Sequence, residues 1–286
     1  MCDTCGCNIT SGNQHLLKPG GKLSLANNGT TSISVLKNLM NENDHVAAHN
    51  REHFDKNNVL AINLMSSPGS GKTALLEKTI QQLKEQFRMA VIEGDLETEN
   101  DAERIRKQGV PAIQITTGSA CHLDAHMVHD AVHNLSLKDL DIVFIENVGN
   151  LVCPASFDLG QHLNVTLLSV TEGDDKPAKY PVMFRAADLM LLTKTDLLAV
   201  LDDFDCNKAE QNLRQLASEA PVIELSSRRG DGLSNWITWL KQQVEAQLNR
   251  VKNGESLKPA IQKEGVQLHS ETSHSHNALI QNHTQA

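Results

Sequence analysis

The sequence predicts an α/β fold, a three-layer sandwich with a mostly parallel central sheet. From Val59 onward, short apolar runs alternate with segments of helical periodicity, which is typical of a parallel sheet with helices on both faces. The runs are nearly continuous in Val, Ile and Leu, as expected for strands buried on both faces. The chain has 286 residues, 40% of them hydrophobic, which is enough for one sizeable domain with appendages.

The predicted elements follow from these patterns in chain order. The helical spacing of Ile33, Leu36, Met40 and Ala47 predicts an amphipathic helix from Thr31 to Arg51, within a segment of residues 31–56. Seven apolar runs are the predicted strands: Val59–Met65, Ala90–Glu93, Ala112–Thr116, Ile142–Ile145, Val165–Val170, Leu189–Leu192 and Val222–Leu225. Helices are predicted after Lys72, Glu99, Leu123, Pro177, Asp205 and Gly232, the last from Leu233 to Arg250.

Both ends of the chain are polar. We expect residues 1–30 to form a flexible tail, residues 57–250 the folded domain, and residues 251–286 a disordered tail that carries His269, His274, His276 and His283. The formal net charge of −9 argues against a nucleic-acid partner. No run approaches the roughly 18 apolar residues of a membrane span, and the N-terminus lacks a signal-like apolar core. We therefore expect a cytoplasmic protein without a membrane partner.

One stretch, Ser66–Thr73, joins the first strand to the first helix of the predicted sheet. It reads Ser-Ser-Pro-Gly-Ser-Gly-Lys-Thr, a phosphate-binding P-loop in which Ser66 replaces the usual first glycine. Backbone N–H groups at such a turn and helix N-terminus favour a phosphate chain. Lys72 is expected to reach the β- and γ-phosphates, and the Thr73 hydroxyl to bind Mg²⁺. The predicted nucleotide-binding residues here are Gly69, Ser70, Gly71, Lys72, Thr73 and Ala74.

Two carboxylates follow neighbouring strands. Asp95 ends the second strand, and Glu146 ends the fourth with Gly149 three residues on. Ligands of open α/β sheets bind at the carboxyl ends of the strands, so these side chains are candidate Mg²⁺ ligands and catalytic groups beside Lys72 and Thr73. Taken singly, each is also consistent with an ordinary charge at a strand end.

The segment Thr193-Lys194-Thr195-Asp196 resembles the base-reading element of GTP-binding proteins. Asp196 is expected to accept two hydrogen bonds from guanine, which adenine cannot supply, and Lys194 accompanies it. Thr193 stands where Asn is usual. Ser227, after the last strand, resembles a weaker second element that meets the guanine oxygen. These residues predict GTP as the nucleotide.

Two groups of soft ligands predict metal sites. Cys2, Cys5 and Cys7 form a Cys-x-x-Cys-x-Cys set that suits Zn²⁺, Ni²⁺ or Cu⁺, although three incidental thiols on a tail are the alternative. The second group is Cys121, His122 and Cys153, from two strand ends. It suits Zn²⁺ or Ni²⁺, with a further coordination position open or filled by a second subunit. His126 ranks below these three, and two structural cysteines with a loop histidine are the alternative.

Taken together, these motifs resemble the HypB family of hydrogenase nickel-incorporation GTPases, which is related to the urease accessory GTPase. The resemblance runs from Val59 to Leu248 and includes Cys121–Ala125, Phe144–Gly160, Ser169–Pro177 and Leu191–Leu198. It implies a GTP hydrolase that inserts Ni²⁺ into the large subunit of [NiFe]-hydrogenase, with the nickel metallochaperone HypA as partner. It also implies a homodimer that pairs across the nucleotide face. A nickel storage protein and a chaperone for urease or a cobalamin mutase are the alternatives.

Overall fold

The computed structural model describes residues 30–95, 99–118, 120–216 and 218–259. A seven-stranded sheet occupies the centre in the order β3-β2-β4-β1-β5-β6-β7, and every neighbouring pair is parallel. All seven predicted runs form strands: β1 Leu60–Ser66, β2 Met89–Asp95, β3 Ala112–Thr116, β4 Ile142–Glu146, β5 Leu163–Ser169, β6 Leu189–Thr193 and β7 Val222–Glu224. The phosphate loop after β1 therefore starts at the middle strand of the sheet.

Helices cover both faces of the sheet. They are α1 Thr30–Lys56, α2 Lys72–Leu83, α3 Asn100–Arg106, α4 Ala125–Val132, α5 Lys176–Lys179, α6 Pro181–Arg185, α7 Cys206–Gln215 and α8 Leu233–Lys252. Short 3-10 turns occupy Leu137–Asp139, Cys153–Ser156 and Thr195–Leu197. The helix predicted after Pro177 is two short helices, because Pro181 disfavours helical backbone at Tyr180, which has φ −123° and ψ 58°.

The core lies in two layers, one on each side of the sheet. Residues of α2, α3 and α8 pack on one face, where the buried Trp236 donates its indole N–H to the Thr79 hydroxyl at 2.8 Å. On the other face, α1 and α4 pack near β1, β2 and β4, and α6 and α7 pack near β5 and β6. Alternate residues of each strand serve opposite layers, as the pleat requires. The three-layer sandwich predicted from the sequence is confirmed.

Helix α1 is attached to the domain by buried polar contacts. The Arg51 guanidinium pairs with Asp158 at 2.6 Å, and both side chains are largely buried. The Asn43 amide donates to the Asp158 carbonyl at 2.8 Å and accepts from the Ala125 N–H at 2.9 Å. A buried polar group without a partner costs stability, so these pairs fix the position of α1 against α4 and the loop before β5.

The C-terminal boundary differs from the sequence-based one. Helix α8 continues to Lys252, and Leu257 packs against the core face that carries α8. The expected start of the tail at residue 251 thus lies inside the helix, because apolar contacts continue past the polar turn at Asn253. The cysteines of residues 1–30 and the histidines beyond residue 259 lie outside the described residues. Within the described part of the chain, no helix has the length and apolarity to cross a membrane.

Candidate nucleotide and metal sites

The P-loop adopts the backbone that its glycines permit. Gly69 and Gly71 have φ of +75° and +96°, the left-handed region that favours glycine. The first N–H groups of α2, like those of any helix, lack intrahelical partners. Gly71 directly precedes α2 and provides no side-chain cap for them. Beside them lies an open cleft of about 340 Å³, lined by the loop and by Glu93, Asp95 and Glu146. The cleft therefore combines unpaired backbone donors with carboxylates, as a phosphate and cation site requires.

Lys72 is held at the entrance of the loop by Ser66, the residue that departs from the P-loop motif. Its ammonium donates to the Ser66 hydroxyl at 3.0 Å, and both side chains are buried. Ser66 in turn donates to the Ser67 carbonyl at 2.7 Å. Ser66 at the position of the first glycine thus gives the buried Lys72 ammonium a polar partner within the loop. A buried ammonium without a partner would be costly.

Glu172, which follows β5, and Thr193, which ends β6, hold the P-loop from outside. The Glu172 carboxylate accepts hydrogen bonds from the hydroxyls of Ser67 and Ser70, the latter at 2.5 Å. The Thr193 hydroxyl donates to the Ser70 carbonyl at 2.7 Å. Sequence reasoning missed Glu172. Its position three residues after the end of β5 was the available signal, because ligands gather at the carboxyl ends of the strands.

An acidic cluster lies beneath the loop. Oxygen atoms of Glu93, Asp101 and Glu146 lie within 4.8 Å of one another, and the Thr73 hydroxyl donates to Glu146 at 2.9 Å. Burial raises the pKa of Glu146, and burial together with the charge of Glu146 raises the pKa of Glu93. One oxygen of each glutamate is buried without a hydrogen-bond partner among the described residues. Unsatisfied, charge-rich oxygens of this kind fit a hard divalent cation such as Mg²⁺.

Of the three residues in the acidic cluster, only Glu146 was predicted from the sequence. Asp95 lines the same cleft and is half-buried, but it is not one of the three converging carboxylates. Glu93 lies directly opposite Glu146 in the β2–β4 pairing. Sequence reasoning missed Glu93, although it is two residues from Asp95 and therefore on the same side of the strand.

The two predicted base-reading segments are in contact. Lys194 has φ +59°, and the turn after it brings the Thr195 N–H to the Leu225 carbonyl at 3.3 Å. The Ser226 hydroxyl donates to Asp196 at 2.7 Å, which lowers the pKa of this carboxyl. Ser226 therefore holds the ionised Asp196 in place, and the predicted Ser227 is the next residue along the chain.

Cys121, His122 and Cys153 converge after β3 and β4. The sulfur atoms of Cys121 and Cys153 are 3.3 Å apart, and the Cys121 sulfur lies 3.7 Å from the His122 Nδ1. The three ligand atoms lie within 4.8 Å of one another. The His122 ring stacks on Phe157 with centroids 4.0 Å apart, and burial lowers the pKa of His122. Two sulfurs and a neutral imidazole suit Zn²⁺ or Ni²⁺.

His126 lies on the first turns of α4, but it is not part of this group of converging ligand atoms among the described residues. Asp124 caps α4 by accepting the Met127 N–H at 2.9 Å. The cap fixes the start of the helix directly after the Cys121–His122 loop. The ranking of His126 below the other three is consistent with this geometry.

The segment of residues 146–153 contacts both sites. A Cβ at Gly149 would lie 2.8 Å from the backbone of Pro68, so only glycine permits this approach to the P-loop. The Asn147 side chain accepts the Leu123 N–H at 3.2 Å, and the Asn150 amide donates to the Cys121 carbonyl at 3.2 Å. One short segment therefore touches the phosphate loop, carries Glu146 and Cys153, and holds the loop of Cys121.

Comparisons with known proteins agree with this arrangement. Residues 60–224 match the model of the CobW/HypB/UreG nucleotide-binding domain. The hydrogenase maturation factor HypB of Escherichia coli strain K12 is 53% identical over 211 residues, which are 74% of this chain and 72% of that protein. The hydrogenase/urease maturation factor HypB of Helicobacter pylori strain 26695 is 43% identical over 224 residues, or 76% and 91% of the two chains.

A solved structure gives the same result. The crystal structure of HypB from Helicobacter pylori in complex with nickel superposes with a TM-score of 0.69 and 43% sequence identity, covering 72% of this chain and 97% of that one. The identity, the coverage and the shared fold together lead to one conclusion: the chain belongs to the HypB family of the CobW/HypB/UreG nucleotide-binding proteins.

Proposed function

We propose that this protein is a GTP-hydrolysing nickel metallochaperone that inserts Ni²⁺ into the large subunit of [NiFe]-hydrogenase during maturation. The observation that carries the proposal is the segment 146–153, which joins a nucleotide cleft to a site of two thiols and an imidazole. Such a connection gives a nucleotide a means to alter a metal site. The relative with 53% identity is named a hydrogenase maturation factor, whereas the hydrogenase/urease name belongs to a relative with 43% identity. This difference favours hydrogenase over urease as the client.

Hydrolysis would depend on charges that this chain already holds near the cleft. Lys72 would leave Ser66 and bind the β- and γ-phosphate oxygens, where it offsets charge that develops during phosphoryl transfer. The Thr73 hydroxyl and Glu146, with Asp95 and Glu93 beside them, would hold Mg²⁺, which supplies further positive charge to the phosphates when bound. The N–H groups at the start of α2 would bind the remaining phosphate oxygens.

Selection of GTP would come from Asp196. Its carboxylate would accept the guanine N1–H and exocyclic amine, with Lys194 and the backbone near Ser227 beside the base. Ser226 keeps the carboxylate oriented before the nucleotide arrives. Each charge-assisted hydrogen bond contributes about 1.5 to 3 kcal/mol, so losing both on exchange for adenine would lower affinity by a hundredfold or more.

Nickel is the cargo rather than a resident cofactor in this proposal. Cys121, His122 and Cys153 would bind Ni²⁺ or Zn²⁺ near the contact between two copies of the chain, and Cys2, Cys5 and Cys7 would form a second soft-metal site. HypA would exchange nickel with the protein in the cytoplasm. Thiolate and imidazole ligands are chemically suited to Ni²⁺, whereas the oxygen-rich acidic cluster is suited to Mg²⁺.

The test is complementation of a strain that lacks this gene. Wild-type protein should restore hydrogenase activity and the nickel content of the large subunit at limiting nickel. Lys72→Ala should restore neither, and its purified form should lose GTP turnover by about a hundredfold or more, because the main cation at the phosphates is gone. Lys78→Ala removes a half-buried lysine of α2 whose ammonium donates to the Gln81 side chain; it is the matched control and should behave as wild type. Nickel-loaded hydrogenase in the Lys72→Ala strain would contradict the proposal.

A further inference from the structure

Four histidines of α1 and of the C-terminal end of α4 lie together on a face outside both sites. We call His49, His53, His129 and His133 the histidine cluster. Ring centroids are 4.3 Å apart for His49 and His53, 4.4 Å for His129 and His133, and 5.2 Å between the helices for His49 and His129. His49 and His53 lie in α1, and His129 lies in α4 with His133 directly after its last residue. In both pairs the histidines are four residues apart, a spacing that places both on one helical face.

A buried asparagine fixes the most central of these rings. The Asn50 amide nitrogen donates to the carbonyls of Ala125 at 2.8 Å and Leu159 at 3.1 Å, so the Asn50 oxygen is the atom that faces His129. This oxygen lies 2.8 Å from the His129 Nδ1, which must therefore carry the proton. The lone pair of His129 is then on Nε2. Histidine ligands of metals are held in this way, with one nitrogen donating to a neighbour and the other binding the ion.

The Nε2 of His129 accepts a hydrogen bond from the Nε2–H of His133 at 2.9 Å. A cation would take the place of this proton, and the Nδ1 of His133 would carry the proton instead. Adjacent nitrogen ligands at bonds of about 2.1 Å stand about 3.0 Å apart around an octahedral ion and about 3.4 Å apart around a tetrahedral one, so a displacement of the two rings by about half an ångström or less would place both on one cation. Asp130 on α4 is close enough to His129 to interact electrostatically with it, and its charge would offset part of a divalent charge. Glu52 on α1 also acts on the rings, but it is paired with Lys56 at 2.8 Å, so this pair adds little net charge.

We propose that the histidine cluster is a binding site for a divalent cation of borderline softness, Ni²⁺ or Zn²⁺, with His129 and His133 as its central ligands. Imidazole without thiolate favours these ions over Mg²⁺ and binds them less tightly than the cysteine sites do. Helix α4 begins three residues after His122, so the site lies on the helix that leads away from the cysteine-bearing loop. The position suits a labile site from which metal can reach that loop.

Nuclear magnetic resonance of the full chain with ¹⁵N-labelled histidine gives the direct test. Before metal is added, His129 should show the Nδ1–H tautomer that Asn50 imposes. Zn²⁺ alone is then titrated past the capacity of the thiol sites, and the Nε2 signals of His129 and His133 should shift. The proposal is overturned when these signals stay unchanged while only those of the tail histidines, such as His269 and His274, respond.

Ni²⁺ binding by variants identifies the ligands. His129→Gln/His133→Gln should lose one equivalent of bound Ni²⁺ or weaken it at least tenfold, and His49→Gln/His53→Gln should weaken the same step. His45→Gln removes a histidine of α1 that is outside the cluster and should bind as wild type. Circular dichroism checks that α1 and α4 persist in every variant. Equal stoichiometry and affinity in all four proteins, or an equal loss in His45→Gln, rules the site out.

Discussion

Thr193 departs from the base-reading motif but makes a defined contact with the P-loop. It stands where GTP-binding proteins usually carry Asn, and its hydroxyl donates to the Ser70 carbonyl of the P-loop at 2.7 Å. The residue therefore connects the base-reading turn to the phosphate loop. Ser66 acts similarly, because it replaces a glycine and gives Lys72 a buried partner. Both departures keep the polar groups of the cleft satisfied.

Base selection is tested at Asp196. Asp196→Asn should lower the affinity for GTP at least tenfold, because an amide nitrogen facing the guanine amine cannot accept its hydrogen bond. The same amide can donate to the carbonyl that replaces this amine in xanthine, so affinity should move towards XTP. Competition of GTP, XTP and ATP for purified protein measures the change.

The exposed Asp203→Asn serves as the control for Asp196→Asn and should keep the wild-type order of affinities. Because Ser226 donates to Asp196, the variant chain must also be compared for folding at 25 °C by circular dichroism. A wild-type protein that binds ATP as well as GTP would show that Asp196 does not read the base.

At the scale of elements, the sequence predicts what depends on local pattern. All seven strands were predictable because each is an apolar run between polar turns, and α2 and α8 because their apolar residues recur at helical spacing. The strand order was not predictable from pattern, since it is set by packing between distant segments. For the same reason Glu172 and Glu93 were missed: their partners, Ser70 and Glu146, are remote in sequence.

One buried histidine joins four elements and makes their packing sensitive to pH. The His162 Nδ1 accepts the Ala61 N–H of β1 at 2.9 Å, so the proton is on Nε2, which faces Asp55 of α1 at 3.0 Å. Gln247 of α8 also donates to Asp55, at 2.7 Å. His162 directly precedes β5 and is fully buried. Protonation of its Nδ1 would break the bond to β1, and burial accordingly lowers the pKa of His162.

The direction of this pH effect follows from the number of protons that the folded and the unfolded chain bind. The folded state keeps His162 neutral, whereas the unfolded chain protonates it below about pH 6.5. The free energy of unfolding should be highest above that pH and fall on acidification, by up to about 1.4 kcal/mol per pH unit from this group until its folded pKa is reached. Urea unfolding between pH 8 and pH 5.5, with a chelator present, measures the slope.

His162→Gln is the matched variant for this slope, because an amide can accept from Ala61 and donate to Asp55 as the neutral imidazole does. The pH slope of its unfolding free energy should be smaller than that of the wild type by up to about 1.4 kcal/mol per pH unit, which corresponds to one proton. His122 has a pKa lowered by burial and adds to the slope in both proteins, so the difference isolates His162. Equal pH slopes of the unfolding free energy in the wild type and in His162→Gln would mean that His162 does not take up a proton on unfolding.

At the scale of the whole molecule, strand order explains why the candidate nucleotide and metal sites are adjacent. β4 lies between β2 and β1, so the segment that leaves β4 at Glu146 passes directly beside the P-loop after β1. The loop after β3 then meets the same segment through Leu123 and Cys121. A change at the γ-phosphate therefore has a short physical path to Cys153. A coupling along this path would be reciprocal, with each site changing the binding free energy of the other by the same amount.

The last prediction is that the nucleotide state changes metal affinity at Cys121, His122 and Cys153. Loss of the γ-phosphate should let Gly149 move from Pro68 and shift Cys153 relative to Cys121. We expect Ni²⁺ and Zn²⁺ affinities to differ between the GDP form and a non-hydrolysable GTP form by a factor within about 5 to 150, the usual range of such coupling. Equilibrium titrations on protein with Cys2, Cys5 and Cys7 changed to Ser measure it. Those changes should remove one soft-metal site and leave GTP turnover unaltered.

Asn150→Ala tests the path itself. It removes the bond from the segment to the Cys121 carbonyl and should bring the affinity ratio between the two nucleotide forms closer to one, because Asn147 still accepts the Leu123 N–H, while GTP turnover persists. Asn134→Ala, at an exposed asparagine just after α4, is the control and should keep the wild-type ratio. By reciprocity, metal should change the affinity for GTP over GDP by the same factor in wild type and not in Asn150→Ala. Equal metal affinities in both nucleotide forms of the wild type would refute the coupling, and metal release would then require another trigger such as partner binding.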